Sequence, residues 1–130
     1  MTVTLGYATA AGTDRELDEQ LAELAAAGVD SRRIFTDKLS GTADKMRAGL
    51  LALLSYARSG DVVVVVALGR LGRSAAEITQ TVADLTTRGI TLRCLQNGLD
   101  TANATGRVVA AILSELAAFD ALRAETAHRS

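Results

Sequence analysis

Hydrophobic positions along the chain fall into short apolar runs separated by stretches with helical spacing. Four runs read as strands, at residues 3–7, 33–37, 62–66 and 90–95. The third is five consecutive valines with no polar face, which is typical of a strand buried on both sides. Between the runs, apolar residues recur every three or four positions, as in Leu17, Leu21 and Leu24, and predict amphipathic helices.

Local signals mark where these helices begin and end. Thr13 with Glu16, and Ser74 with Glu77, have the spacing of a capping box at a helix start. Three glycines are expected to end the helices: Gly28, Gly60 and Gly89. Strands that alternate with helices predict an α/β fold with a mostly parallel sheet of about four strands, because parallel neighbours require crossover connections.

A long final helix is predicted over residues 106–127. One stripe of it carries large apolar side chains: Val109, Ile112, Leu113, Leu116 and Phe119. Such a stripe needs a partner. Either the helix packs on its own sheet, or its outer half pairs with a second subunit.

Composition limits the class of protein. The 130 residues are 48% hydrophobic and 22% charged, with no proline, which is typical of a single globular domain. Cys94 is the single cysteine, so an internal disulfide is excluded and a cytoplasmic location is expected. No apolar run approaches the roughly 20 residues of a membrane span. The net charge of −1 predicts that the chain alone binds DNA weakly.

A cationic segment follows the valine run directly. Arg70 and Arg73 lie three residues apart where the chain leaves the strand. Guanidinium groups in this arrangement suit a phosphate. A solvated turn, or an ion pair with Asp37 or Glu77, explains the same residues equally well from the pattern alone.

This segment, A-L-G-R-L-G-R at residues 67–73, resembles the K-L-D-R-L-G-R signature of the small serine recombinases, the resolvases and DNA invertases. Further blocks are similar to that family: I-F-T-D-K with S-G at 34–41, R-A-G-L at 47–50, and D-T followed by T-G-R at 100–107. The resemblance covers essentially the whole chain. It implies that residues 1–130 form a resolvase-like catalytic domain, and that the helix-turn-helix DNA-binding domain usual in the family is absent from this sequence.

The resemblance also implies a chemistry. Members of the family break DNA by attack of a serine hydroxyl on a phosphodiester, with no metal or cofactor, and arginines neutralise the charge that develops on phosphorus. By correspondence with the family's motifs, Arg47, Arg70 and Arg73 are the expected phosphate-binding residues.

Five positions that matter for the chemistry depart from the family's pattern. Where the family's first strand ends Y-A-R-V-S, residues 7–11 read Y-A-T-A-A, so Ala11 stands at the serine position and Thr9 at an arginine position. Gly69 stands at the aspartate of the signature, and Asp120 with Ala121 replaces an E-R pair on the long helix. Loss of a nucleophile costs on the order of 10⁶-fold in well-studied hydrolases. Thr9 faces the same side as position 11 and is a conceivable but chemically poor substitute.

Three hypotheses follow. The first is a cleavage-defective homologue that acts as an oligomerisation or regulatory partner, as a homodimer or tetramer or together with an active recombinase. The second is a working recombinase whose nucleophile lies elsewhere. The third is a homodimeric binding module without a role on DNA.

Overall fold

The computed structural model describes residues 2–10, 14–38, 47–72 and 74–129, without the side chains of residue 14 and of residues 119–129. Four parallel strands form one sheet in the order β2-β1-β3-β4. Their bounds are β1 Thr4–Ala10, β2 Ile34–Lys38, β3 Val62–Val65 and β4 Thr91–Cys94. The predicted α/β class with about four parallel strands is therefore confirmed.

Helices connect the strands and cover both faces of the sheet. They are α1 Asp14–Ala26, α2 Ala48–Tyr56, α3 Ala75–Thr87 and α4 Ala104–Arg129, with short 3-10 helices at Ser31–Arg33 and Leu68–Leu71. Side chains of β1 alternate between two cores, as the strand period requires. Leu5 and Tyr7 enter the core under α2 and α3, whereas Ala8 and Ala10 face α1.

Several bounds differ from those that the sequence predicted. β1 runs three residues past the predicted end at Tyr7, because it keeps pairing with β2 as far as Ala10 opposite Lys38. Arg33 lies in a 3-10 helix rather than in β2. α2 ends at Tyr56, well before Gly60, with Ala57 as its buried C-cap.

Of the two alternatives that the sequence left open, the structure shows packing within the chain: α4 packs mainly on α3, and Leu113 contacts the core cluster beneath it. Small residues allow the close approach: Ala110 and Ala117 are buried, and Gln80 donates from Nε2 to the Ala117 carbonyl at 3.0 Å. Ile112 and Leu116 remain 54% and 48% exposed. Val109 and Leu113 are half-buried, and the Phe119 side chain lies outside the described part of the chain.

The outer edge of β4 is covered by the chain that follows it. Leu99 accepts from the Cys94 amide at 2.9 Å, and Thr101 both accepts from and donates to the backbone of Leu92, at 2.9 and 3.0 Å. Arg93 and Asp100 form an antiparallel bridge. Both main-chain groups of Leu92 and the amide of Cys94 are therefore already paired on this side of the sheet.

No helix among the described residues is both long and apolar enough to cross a lipid bilayer.

Candidate phosphate site at the strand ends

The residues singled out from the sequence meet where β1 and β3 end. Thr9 lies near the end of β1, Arg70 lies in the 3-10 helix just after β3, and Arg47 directly precedes α2. The carboxyl ends of parallel strands are the usual place for a ligand site in such a sheet. Thr9, Arg47 and Arg70 are brought together here, whereas Ala11 and Arg73 lie outside the described residues.

Arg70 is held by two contacts from a single nitrogen. Its Nη1 lies 2.9 Å from Oε1 of Glu16 and donates to the Thr9 carbonyl at 3.3 Å. The two charged side chains are 31% and 39% exposed. The carboxylate partner is therefore Glu16, and the ion pair of Arg70 with Asp37 or Glu77 that the sequence allowed is not the one formed.

Glu16 thus has a role that its sequence position did not suggest. Its Oε1 contacts Arg70, 54 residues away, a contact that the capping-box spacing at the start of α1 does not indicate. Thr13, the other member of that box, lies outside the described residues. The contact joins α1 to the segment that follows β3.

Arg47 reaches the same place through an uncommon backbone conformation. It is the N-cap of α2 with φ 45°, in the left-handed region, which costs a non-glycine residue of order 1 kcal/mol or more. Its Nη1 donates to the Arg70 carbonyl at 2.8 Å. Its Nε is buried and has no hydrogen-bond partner among the described residues. The two arginines are therefore neighbours in the structure.

Asp37 organises the opposite side of the site. Its carboxylate accepts from the amides of Gly49 and Leu50 at 2.7 and 3.0 Å, so it caps the start of α2 from β2. The Tyr7 hydroxyl donates to the same carboxylate at 2.7 Å. Burial of the phenol and then the hydrogen bond and charge of Asp37 raise the pKa of Tyr7 well above its usual range, with Thr9 and Arg47 acting in the opposite direction.

Thr9 is buried, with 3% of its surface exposed. Its hydroxyl lies close enough to the Tyr7 phenol to affect that group's pKa, but it has no hydrogen bond of acceptable geometry among the described residues. Its backbone lies beyond the last β1–β3 pair, Tyr7 with Val65, and is bonded by the Gln20 side chain instead.

Gln20 is the residue that sequence reasoning missed. It is 3% exposed and sits on the face of α1 that carries Leu17 and Leu24. A polar side chain at helical spacing within a leucine stripe is the signal that could have indicated it. Its role is to hold the end of β1 in place.

Two further positions from the sequence analysis are Gly69, at the aspartate of the family signature, and Ser74, the predicted cap of α3. Gly69 is exposed, and a Cβ added there would meet nothing within 4 Å. Ser74 Oγ accepts from the Glu77 amide at 3.2 Å, which confirms the predicted cap of α3. Within the described ranges, no three His, Cys, Asp or Glu side chains group closely enough to hold a metal ion.

Known proteins share both the sequence and the fold. The family model "Resolvase, N terminal domain" matches residues 6–130. A resolvase/recombinase of Pseudomonas putida is 39% identical over 91% of this chain, and the transposon Tn3 resolvase of Escherichia coli is 38% identical over 86%. DNA-invertase hin of Salmonella typhimurium is 37% identical over 88%.

The chain spans 65%, 60% and 58% of the lengths of these three relatives. Among solved structures, the N-terminal catalytic domain of TP901-1 integrase superposes with a TM-score of 0.70 at 26% identity, covering 92% of this chain and 96% of that domain. The α/β sheet, the long final helix and the match over residues 6–130 lead to one assignment: the chain belongs to the resolvase N-terminal domain family of serine recombinases.

Proposed function

We propose that this protein is a serine recombinase catalytic domain that has lost strand cleavage and acts as an oligomerisation or regulatory partner on DNA. The proposal depends mainly on the end of β1. Ala11 stands where the family motif has its serine, and an alanine methyl group cannot attack phosphorus.

The environment of Thr9 supports the loss of cleavage. A substitute nucleophile must reach the phosphodiester, but the Thr9 side chain is almost fully buried and its hydroxyl lies beside the Tyr7 phenol. Among the described residues no carboxylate accepts a hydrogen bond from it, and the Asp37 carboxylate accepts from Tyr7, Gly49 and Leu50. Thr9 is therefore a poor candidate for the missing hydroxyl.

Gly69 supports the same conclusion. The family signature has an aspartate at this position, and glycine supplies no carboxylate. Because a Cβ would meet nothing within 4 Å, packing does not require glycine here. Glycine in place of the signature's aspartate therefore removes a carboxylate that the available space would accommodate.

Two arginines support a remaining contact with DNA phosphate. Arg47 and Arg70 are joined through the Arg70 carbonyl, and the Nε of Arg47 is buried without a partner among the described residues. Arginine is well suited to recognise phosphate by two parallel hydrogen bonds. We also propose that Arg73 binds phosphate, because it matches an arginine of the family signature. Binding should be weak, because the net charge is −1.

The exposed side of α4 supports self-association. Val108, Ile112 and Leu116 recur at four-residue spacing and are 61%, 54% and 48% exposed. An apolar row on the side that α3 leaves uncovered is suited to pair with a second subunit. The dimer or tetramer would thus form through α4, with another copy or with an active recombinase.

The decisive experiment looks for a covalent adduct. Supercoiled DNA that carries a cognate site is incubated with the protein, and the products are separated under denaturing conditions. We expect no protein–DNA adduct. An adduct that survives denaturant would show a working recombinase instead. DNA binding that does not change when Arg47 and Arg70 are replaced together would place the phosphate contact elsewhere, and no DNA binding at all would favour a module without a role on DNA.

A further inference from the structure

The ion pair between Glu16 and Arg70 places a carboxylate of the protein inside the candidate phosphate site. Nη1 of Arg70 is the nitrogen that makes both protein contacts, at 2.9 Å to Glu16 and 3.3 Å to the Thr9 carbonyl. Among the described residues, the Nε–Nη2 edge of the same guanidinium has no protein acceptor. A phosphate bound to that edge would lie within a few ångströms of the Glu16 carboxylate.

Space for an anion exists next to Arg70. An open pocket of about 450 Å³ adjoins Arg70 and is lined in part by Val66, Glu23 and Gln96. Besides Arg70, its polar lining side chains are the Gln96 amide and the Glu23 carboxylate. The obstacle to an anion here is therefore charge rather than volume.

Glu16 is fixed in this position by the fold. It lies one helical turn before Gln20, and the Gln20 amide bonds the same Thr9 backbone that Arg70 contacts. Side chains at i and i+4 share one face of a helix, so α1 presents both residues to the end of β1. With its side chain 39% exposed, Glu16 is only partly screened by water and acts on Arg70 at short range.

We propose that Glu16 is an internal counter-anion that sets the phosphate affinity of Arg70. It neutralises the guanidinium and repels an incoming oxyanion, so that DNA phosphate is bound well only when the pair is broken. This inference rests on the phosphate contact proposed above, and it goes further by naming the residue that limits that contact.

The test is a titration with inorganic phosphate, followed by ¹H–¹⁵N NMR of the arginine Nε–H signals in the full chain. Glu16→Gln removes the charge with little change of shape. It should lower the dissociation constant about three- to tenfold, as expected for loss of an exposed ion pair together with a nearby repulsion. Glu19→Gln makes the same charge change on the same helix, where Glu19 pairs with Arg15, and should alter binding less than about twofold.

A double variant tests whether the gain in phosphate affinity depends on Arg70. If Glu16→Gln strengthens binding and adding Arg70→Gln abolishes the gain, the inference is supported, even if the unmodified protein binds too weakly to measure. If Glu16→Gln leaves the affinity unchanged while Arg70→Gln weakens it, the inference is wrong and the phosphate contact stands. If Arg70→Gln has no effect in either background, the phosphate contact itself fails. Glu16→Ala provides a second charge removal should the glutamine variant fold poorly.

Discussion

The side-chain amide of Gln20 bonds both backbone groups of Thr9: Oε1 accepts from the amide at 3.2 Å and Nε2 donates to the carbonyl at 2.8 Å. The last β1–β3 pair is Tyr7 with Val65, so β3 does not bond the backbone of Thr9. The Gln20 side chain supplies these two bonds in place of a neighbouring strand. The last residues of β1, which lead to position 11, are therefore held by α1.

Replacing Gln20 should destabilise the protein. Gln20→Leu leaves a buried amide without an acceptor, and we expect the free energy of unfolding to fall by about 2–4 kcal/mol. Gln96→Leu changes an exposed glutamine and should cost less than about 0.5 kcal/mol. Urea unfolding measures both. Equal losses in the two variants would contradict a role for Gln20 at the end of β1.

Thr9→Val should leave stability unchanged or raise it by up to about 1 kcal/mol, because it replaces a buried hydroxyl that lacks a well-formed hydrogen bond with a methyl group of similar size. Thr9→Ser keeps the hydroxyl and loses the methyl group, and should cost about 1 kcal/mol. Thermal and urea unfolding distinguish these variants. A large loss in the valine variant would indicate that the hydroxyl is bonded.

Alkaline pH should unfold the protein partly through Tyr7. The unfolded state releases the phenolic proton near the ordinary pKa of 10.0, whereas burial and Asp37 hold the folded-state pKa higher. The stability that this group contributes is thus present below pH 10.0 and falls above it, by about 1.4 kcal/mol per pH unit for one proton.

Tyr7→Phe isolates that contribution. The variant should lose about 1.5–3 kcal/mol near neutral pH, since Asp37 loses a donor, but its stability should fall less steeply above about pH 10. Tyr56 is 55% exposed, and Tyr56→Phe should retain the slope of the unmodified protein. Urea unfolding at intervals from about pH 8 to 11 provides the comparison. Parallel curves for the Tyr7 variant and the unmodified protein would contradict the assignment.

Gly106 and Gly69 should respond oppositely to a methyl group. A Cβ at Gly106 would collide with the Asp100 carbonyl and lie 2.9 Å from the Thr101 Cα, so Gly106→Ala should cost about 1–3 kcal/mol. At Gly69 the space is open, and Gly69→Ala should be neutral or stabilising by up to about 1 kcal/mol. Melting temperatures test the pair. A stable Gly106→Ala protein would mean that the start of α4 can shift.

Charge on the exposed face of α4 should prevent self-association. Ile112→Glu and Leu116→Glu place carboxylates in the apolar row that α3 leaves uncovered. Light scattering at increasing concentration should then report monomer, while the unmodified protein associates. Leu51→Glu, at a site 50% exposed on α2, is the matched control and should associate normally. Association that survives both α4 substitutions would place the interface elsewhere.

Apolar periodicity was sufficient to predict the order of strands and helices, because each element contributes a continuous face to one of the two cores. Ser74 could be assigned as a cap because its partner lies only three residues away. Asp37 could not be assigned as a cap in this way, because it lies in β2, more than ten residues before the α2 amides that it accepts from.

The candidate site was predicted only where a motif marked it. Arg47 and Arg70 were predicted from family-like blocks, but the left-handed conformation of Arg47 and its bond to the Arg70 carbonyl were not. Glu16 was assigned from the sequence only to a local cap, and its contact with Arg70 spans 54 residues. Contacts of such separation follow from the tertiary fold, and local spacing does not reveal them.

The return of residues 97–101 along β4 limits how copies of this protein can join. Since the Leu92 backbone and the Cys94 amide are already bonded, a strand from a neighbouring molecule cannot pair with these groups to extend the sheet. The self-association proposed above would therefore depend on side chains, such as those on the exposed face of α4, rather than on strand pairing along β4.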